Sequence, residues 1–476
     1  MGVKQKTTAR PNSEKVEAKS FYLTGALTAC VYLAGCLIYV RGYEVYTRAE
    51  REVFAWLLVL PLLYLFWRGY RQLRRAPNAV STKAIVCFAA LFCLAAFFTY
   101  PFHSTDVFGY VNRGWQQVRY GQNPYVYTLA EVPGWQQDPM LREHWIYNPN
   151  PYGFLFTLLA RAVCRVAYGN WYLSLQLFKA LNVAAYAGIA RLVWLGAKRL
   201  KHARPDVALY LILWNPLLLL HHVANGHNDL LTGFAITLGL YLALAGAWFW
   251  VVPVLVAATL LKYAPALLIP LALVLVVKNR GWKVAALSCV VGGLVAAAVS
   301  APYLVDLPLL LRRFADIRDN ATLIDNSLHS FLIHIFENAA RLLPALAPLH
   351  SAADTAIKTA LRVGFLIFLV PQGYKVWKER TTEVFIEKSV LILFVLFCVV
   401  TSKFNGWYMG MLLPPALLLP ERHWLRRVIV LITAAQVLSL TFFKQAYILN
   451  YFAMILLPAW LAYRQGKRQK AEGSDE

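Results

Sequence analysis

Apolar runs close to the length of about 20 residues that carries a helix across a bilayer recur along this chain, from about Phe21 to about Leu461. They restrict the fold more than any other feature. Hydrocarbon offers no water to backbone amides, so only helices and closed barrels span it, and runs this long exclude a barrel of short alternating strands. The expected fold class is therefore all-α, a polytopic helical membrane protein. Composition agrees: of 476 residues, 59% are hydrophobic and 15% charged, and the mean hydropathy is +0.50, far more apolar than a soluble protein.

The formal charge of +23 invites a nucleic-acid reading, but its placement argues against one. Lysine and arginine gather in short connections between apolar runs: Arg68 to Lys83, Lys198 to Arg204, Lys278 to Lys283, Lys375 to Arg380, Arg422 to Arg427 and Arg464 to Lys470. Such alternation is what the positive-inside rule produces, and no separate basic domain exists to bind nucleic acid. Followed span by span, it predicts about 14 crossings with both termini cytoplasmic. Two of these crossings form a short broken helix pair between about Val251 and Val277, interrupted at Lys262-Tyr263-Ala264-Pro265, with Pro265 suited to a first helical turn.

Residues 1–20 are expected to be a disordered cytoplasmic tail, 21–463 a single transmembrane domain, and 464–476 a charged cytoplasmic tail. Within the domain lie a first external loop, 102–170, with interfacial helices, and a second, 303–355. Leu33-Ala34-Gly35-Cys36 looks like a lipoprotein processing site, but the long leader with Glu14 and Glu17 favours an uncleaved helix. The seven cysteines form no C-x-x-C pair and read as small hydrophobes, without a zinc site or disulfide framework.

This topology gathers the polar groups on one face. The first loop supplies Asp106 and Arg113; the next turn His222, Asn225, His227 and Asp229; the broken pair Lys262; the second loop Arg312, Arg313 and His329; and a late turn Lys403. A charge near the bilayer centre costs about 2.5–3.5 kcal/mol, so Lys262 needs an anionic partner. A carboxylate with several cations suits a reaction that deprotonates a hydroxyl and expels a phosphate. Plainer roles compete: Asp106 or Asp229 as helix caps, Lys262 snorkelling, Arg312 and Arg313 solvated, and the loop aromatics forming an interfacial belt.

Three motifs carry a resemblance: Ser104-Thr105-Asp106-Val107-Phe108-Gly109-Tyr110 with Gly121-Gln122-Asn123-Pro124-Tyr125 behind it, Asn148-Pro149-Asn150-Pro151-Tyr152-Gly153, and Asn225-Gly226-His227-Asn228-Asp229. Lys262 in a broken helix and Trp407-Tyr408 with Pro414 also fit. From about Lys83 onward the chain resembles the GT-C superfamily of integral-membrane glycosyltransferases that use polyprenyl-phosphate sugars. It is most similar to the bacterial α-mannosyltransferases of lipoglycan and phosphoinositol-mannoside assembly, although two spans precede its catalytic-loop helix where many members have none.

The resemblance implies a GT-C type fold with Asp106 as catalytic base. The expected enzyme is an inverting hexosyltransferase, mannose favoured, acting on a hydroxyl of a lipid-linked or cell-envelope glycan. It would sit in the bacterial inner (plasma) membrane with its active site extracytoplasmic, where nucleotide sugars are absent and a polyprenyl-phosphate sugar is the natural donor. Lys262, Arg313, His222 and Lys403 are the candidates for the leaving phosphate. His227 and Asp229 are expected as a hydrogen-bonded pair orienting the acceptor, with metal ligation the alternative. Arg113, Tyr152, Asn225, His329, Trp407 and Tyr408 complete the expected substrate-binding set. A phosphomonoester leaving group demands no divalent metal, and no cofactor is expected. Expected partners are the donor, a glycolipid or glycan acceptor and membrane lipids, with no nucleic acid and the chain a monomer. The competing function is a transporter or flippase of a lipid-linked sugar or anion, which would distribute charge through the membrane depth.

Overall fold

A computed structural model describes residues 11–40, 42, 45–76, 79–320, 326–441 and 447–472. Residues 1–10 and 473–476 of the expected tails, and 321–325 of the second loop, lie outside the described residues. In chain order the helices are α1 (Pro11–Tyr39), α2 (Arg48–Arg75), α3 (Thr82–Phe98), α4 (Asp106–Arg119), α5 (Phe154–Ala167), α6 (Trp171–Arg199), α7 (Pro205–Leu213), α8 (Asp229–Leu244), α9 (Trp248–Leu261) and α10 (Ile269–Arg280). They continue as α11 (Trp282–Ser300), α12 (Leu307–Asn320), α13 (Leu328–Leu342), α14 (His350–Glu379), α15 (Thr382–Val395), α16 (Met409–Ala416), α17 (Trp424–Ala435), α18 (Tyr447–Tyr451) and α19 (Leu457–Glu472). Among the described residues there is no strand, as the long apolar runs require.

Local chemistry sets several of these boundaries. Thr47 and Glu50 form a reciprocal capping box at the start of α2, Ser81 and Asn170 cap α3 and α6, and Pro205 opens α7. The end of α3 is closed by a lysine: Lys179 of α6, fully buried, donates to the carbonyls of Thr99 at 2.6 Å and Ala96 at 3.3 Å, satisfying acceptors the helix leaves open.

Four described helices are individually long and apolar enough to cross a membrane, and α7 with the π-helical turn Leu218–Ala224 forms a fifth candidate bent by 50°. Shorter apolar helices include α3, α8 and α9. Leu37 of α1, Leu57 of α2, Leu94 of α3 and Val370 of α14 are all more than half exposed, an outward face that suits lipid and not water. Helices α4 and α5, 14 residues each, would reach only about 21 Å, and they pack on each other. The apolar run around Lys262 is divided as its sequence predicts: α9 stops at Leu261, Lys262 is extended, and α10 begins after a 3-10 turn from Ala264 to Leu268.

Two expectations need correction. Helix α1 begins at Pro11 and not near Phe21, because Pro11 fits a first helical turn and the glutamates, lysines and alanine that follow propagate a helix as readily as a disordered tail. The apolar run from Trp407 to Pro420, counted among the 14 crossings the sequence predicts, is instead a 3-10 turn, Gly406–Tyr408, followed by the eight-residue α16, every residue of which is buried. Pro414 and Pro415 lack the amide hydrogens that a longer helix would use. Helix α16 reaches only about 12 Å and packs inside the bundle against α8, α15 and α17.

Candidate active site

The chain leaves α3 at Phe98, runs through Pro101, and enters α4 with Asp106 as its first residue. The N-cap position belongs to Thr105, and no side-chain cap bond is made there. Asp106 is thus not spent on capping; its side chain is 18% exposed, with Oδ2 3.5 Å from His227 Nδ1. Burial pushes the Asp106 carboxyl up, but His227, Lys262 and Lys403 together outweigh it and hold the group below the usual carboxylate range. A carboxylate kept ionised beside cations and open to a ligand is the site's central element.

The turn between α7 and α8 holds that carboxylate's surroundings. Asn225, fully buried, accepts through Oδ1 from the backbone amides of Phe102 at 2.9 Å and His103 at 2.8 Å, while its Nδ2 donates to the Leu220 carbonyl at 2.7 Å. The approach to Asp106 is therefore fastened to the α7–α8 turn. Gly226 follows at φ +76°, and a Cβ there would meet Val107 Cγ2 at 3.0 Å; glycine permits both the left-handed backbone and the close approach. We expect Asn225→Ala to lower thermal unfolding stability by about 1–3 kcal/mol, the cost of stranding buried donors, and to lower turnover with it. An unchanged melting curve and rate would remove Asn225 from this role.

His227 lies flat against Trp407, the ring centroids 4.0 Å apart and the planes 14° from parallel. Its backbone carbonyl is 3.0 Å from His222 Nδ1, so the main chain is held by His222 and the ring by Trp407. His222 in turn packs against Gly410, where a Cβ would fall 2.5 Å from Nε2. The late turn therefore forms one wall of the site.

Across the site, Lys262 pairs with Asp229 and its Nζ sits 4.5 Å over the Tyr408 ring. Asp229, 1% exposed, is also the first residue of α8, where the helix dipole favours negative charge. The expected anionic partner of Lys262 exists, but it corrects the pairing expected for His227: His227 faces Asp106, and Asp229 belongs to Lys262. Sequence spacing brings His227 and Asp229 together, but the helix start at Asp229 turns its carboxylate towards the α9–α10 break. Tyr152 meets Tyr110 edge-on at 5.0 Å. Burial, then the nearby Asp106, Asp229 and Tyr408, push the Tyr152 phenol well above its ordinary value despite its hydrogen bond with Tyr110.

Of the expected site residues, Asp106, Tyr152, His222, Asn225, His227, Asp229, Lys262, Lys403, Trp407 and Tyr408 converge through these contacts. Arg113 does not join them: it donates to the carbonyls of Trp145, at 2.9 Å, and Asn148 and holds the first loop closed. Arg313 pairs instead with Glu131 at 2.7 Å, and His329 Nε2 bonds to Asp354 at 2.7 Å, with Lys358 on the same carboxylate. Sequence reasoning missed Tyr110 and Asn228, whose hydroxyl and amide oxygen are 3.3 Å apart. Tyr110, four residues beyond Asp106, shares its helix face, a signal present in the spacing. Among the described residues no three His, Cys, Asp or Glu side chains gather as a metal cluster.

Apolar helices without strands among the described residues, enclosing a carboxylate–histidine pair and a lysine–carboxylate pair, define a polytopic helical membrane protein with an internal polar site. The family model "Alpha-(1->6)-mannopyranosyltransferase, N-terminal domain" matches residues 23–278, and the chain belongs to that family. Over 178 residues it is 30% identical to the alpha-(1->6)-mannopyranosyltransferase A of Corynebacterium glutamicum, a stretch covering 36% of this chain and 35% of that protein. Over 148 residues it is 28% identical to the alpha-(1->6)-mannopyranosyltransferase A of Mycobacterium tuberculosis, covering 31% and 28% respectively. The matched stretches span about a third of the length of these curated relatives. No solved structure matches the chain.

Proposed function

We propose that this protein is an inverting mannosyltransferase that moves mannose from a polyprenyl-phosphate sugar to a hydroxyl of a lipid-linked or cell-envelope glycan at the extracytoplasmic face of the membrane. The observation that carries the reading is the Asp106–His227 pair, an ionised and partly open carboxylate with Lys262 and Lys403 as charge neighbours. Family membership supports the sugar, and the one-sided gathering of charge favours transfer chemistry over transport.

In this mechanism Asp106 accepts the acceptor's hydroxyl proton while the oxygen bonds to the anomeric carbon. The bond from that carbon to the phosphate oxygen breaks on the opposite face, and its electron pair leaves with the polyprenyl phosphate. The carboxylate needs no raised basicity, because bond formation acidifies the hydroxyl as the proton moves. The sugar passes through oxocarbenium character. Lys262 and Lys403 stabilise charge gathering on the leaving phosphate, His227 holds Asp106 in register, and Tyr152 and Trp407 bound the sugar. The reaction in this form calls for no divalent metal and a single copy of the chain.

The direct test supplies purified protein in proteoliposomes with a panel of polyprenyl-phosphate sugars and with nucleotide sugars, alongside glycan acceptors. Release of polyprenyl phosphate with mannose transferred is the expected outcome. Transfer from a nucleotide sugar alone, or movement of the lipid-linked sugar across the bilayer without bond cleavage, would refute it.

A further inference from the structure

At the other end of the N-terminal helices the structure carries a second feature that sugar transfer does not use. A cavity of about 320 Å³ between α1 and α2 is lined by Glu17, Ser20, Tyr64, Trp67, Arg68, Arg71, Gln72 and Arg75. A groove of about 540 Å³ along the same seam is lined by apolar and small residues, among them Leu27, Ala34, Gly35, Leu57, Pro61 and Tyr64. Tyr64 borders both, so the two spaces adjoin.

The helical repeat explains the arrangement. Leu57, Pro61, Tyr64, Arg68, Arg71 and Arg75 fall three or four residues apart and form one stripe of α2, apolar over its first half and cationic over its second. The polar end is ordered: Ser20 Oγ accepts from Gln72 Nε2 at 2.6 Å and from Arg68 at 3.2 Å, and Thr24 Oγ1 donates to Gln72 Oε1 at 3.0 Å. Glu17, the one acidic residue of the lining, stands 3.9 Å from Arg75, which leaves a cationic excess.

We propose that this seam binds an anionic phospholipid, its phosphate among Arg68, Arg71 and Arg75 and one acyl chain along the groove towards Ala34 and Gly35. The arginines match a phosphate by charge and geometry. The adjoining apolar groove selects a lipid over a soluble anion. The site is separate from the catalytic one: α2 delivers the arginines to the side where α3 begins, and the 17 residues of α3 carry the chain about 25 Å to the loop holding Asp106.

The test is native mass spectrometry of the full-length protein titrated separately with phosphatidylglycerol, phosphatidylcholine and inorganic phosphate. Wild type should retain phosphatidylglycerol at about tenfold lower concentration than phosphatidylcholine, and Arg68→Ala/Arg71→Ala should erase that preference, since each cation near a lipid phosphate contributes measurably. Arg68→Lys/Arg71→Lys should keep most of it, which separates lost charge from lost folding. Ala34→Phe, at an exposed position lining the groove, should weaken phosphatidylglycerol retention. Equal retention of the two lipids by wild type, an undiminished preference in the alanine double variant, or phosphate alone binding as well as the lipid would overturn the proposal.

Discussion

Proteoliposomes carrying Asp106→Asn should transfer sugar about 10²–10⁴-fold more slowly than wild type, the range a positioned general base contributes. Expression and monodispersity in detergent should not change. The amide keeps the shape of the side chain and a carbonyl oxygen near His227, so packing around the first turn of α4 is retained; what is lost is the ability to accept a proton. The pH profile follows from the same surroundings. Because the folded-state carboxyl is depressed, its ionised form contributes stability that is present above the unfolded value and lost as pH falls through the folded one. The acid limb of the rate profile should therefore lie below the usual carboxylate range. His227→Phe removes the strongest opposing influence on burial, and the limb should move to higher pH. Turnover surviving in Asp106→Asn would end the base assignment.

The second large effect concerns the Lys262–Asp229 pair. Lys262→Met strands a carboxylate that is 1% exposed and should cost about 3 kcal/mol of stability, the lower end for breaking a buried pair, because the lysine side chain is 22% exposed. Adding Asp229→Asn removes the stranded charge and should recover most of that stability. Turnover should not return in the double variant, since the departing phosphate has still lost its cation. Chemical unfolding and donor turnover measured on the three proteins separate the two roles. Recovery of both stability and activity would make Lys262 a packing partner alone.

Much of this arrangement was legible in the chain, for reasons that differ by residue. Lys262 announces itself because an ammonium inside an apolar run is costly, and the division of that run into α9 and α10 follows from Pro265 and the sidedness of the next basic loop. Asp106 is visible as the acid where an apolar run ends, and Asn225-Gly226 as a turn. Which acid takes which partner was not legible, since Asp229 reaches Lys262 only when α8 and the α9–α10 break meet in space. Arg113 was grouped with Asp106 because both belong to the first loop, but it lies two helical turns further along, about 10 Å away. There it meets loop carbonyls. The shortness of α16 was hidden by an apolar composition that reads alike in a span and a buried helix.

The stacking of Trp407 on His227 has a consequence for biogenesis. The acid, the imidazole and the lysine all enter the membrane with the first two thirds of the chain, yet the indole against which the imidazole rests arrives only with the turn before α16. A partly inserted nascent chain therefore holds its ionisable groups without the aromatic backing that aligns them. On the proposed mechanism, competence would be gained late, only once the turn before α16 has seated its indole against His227.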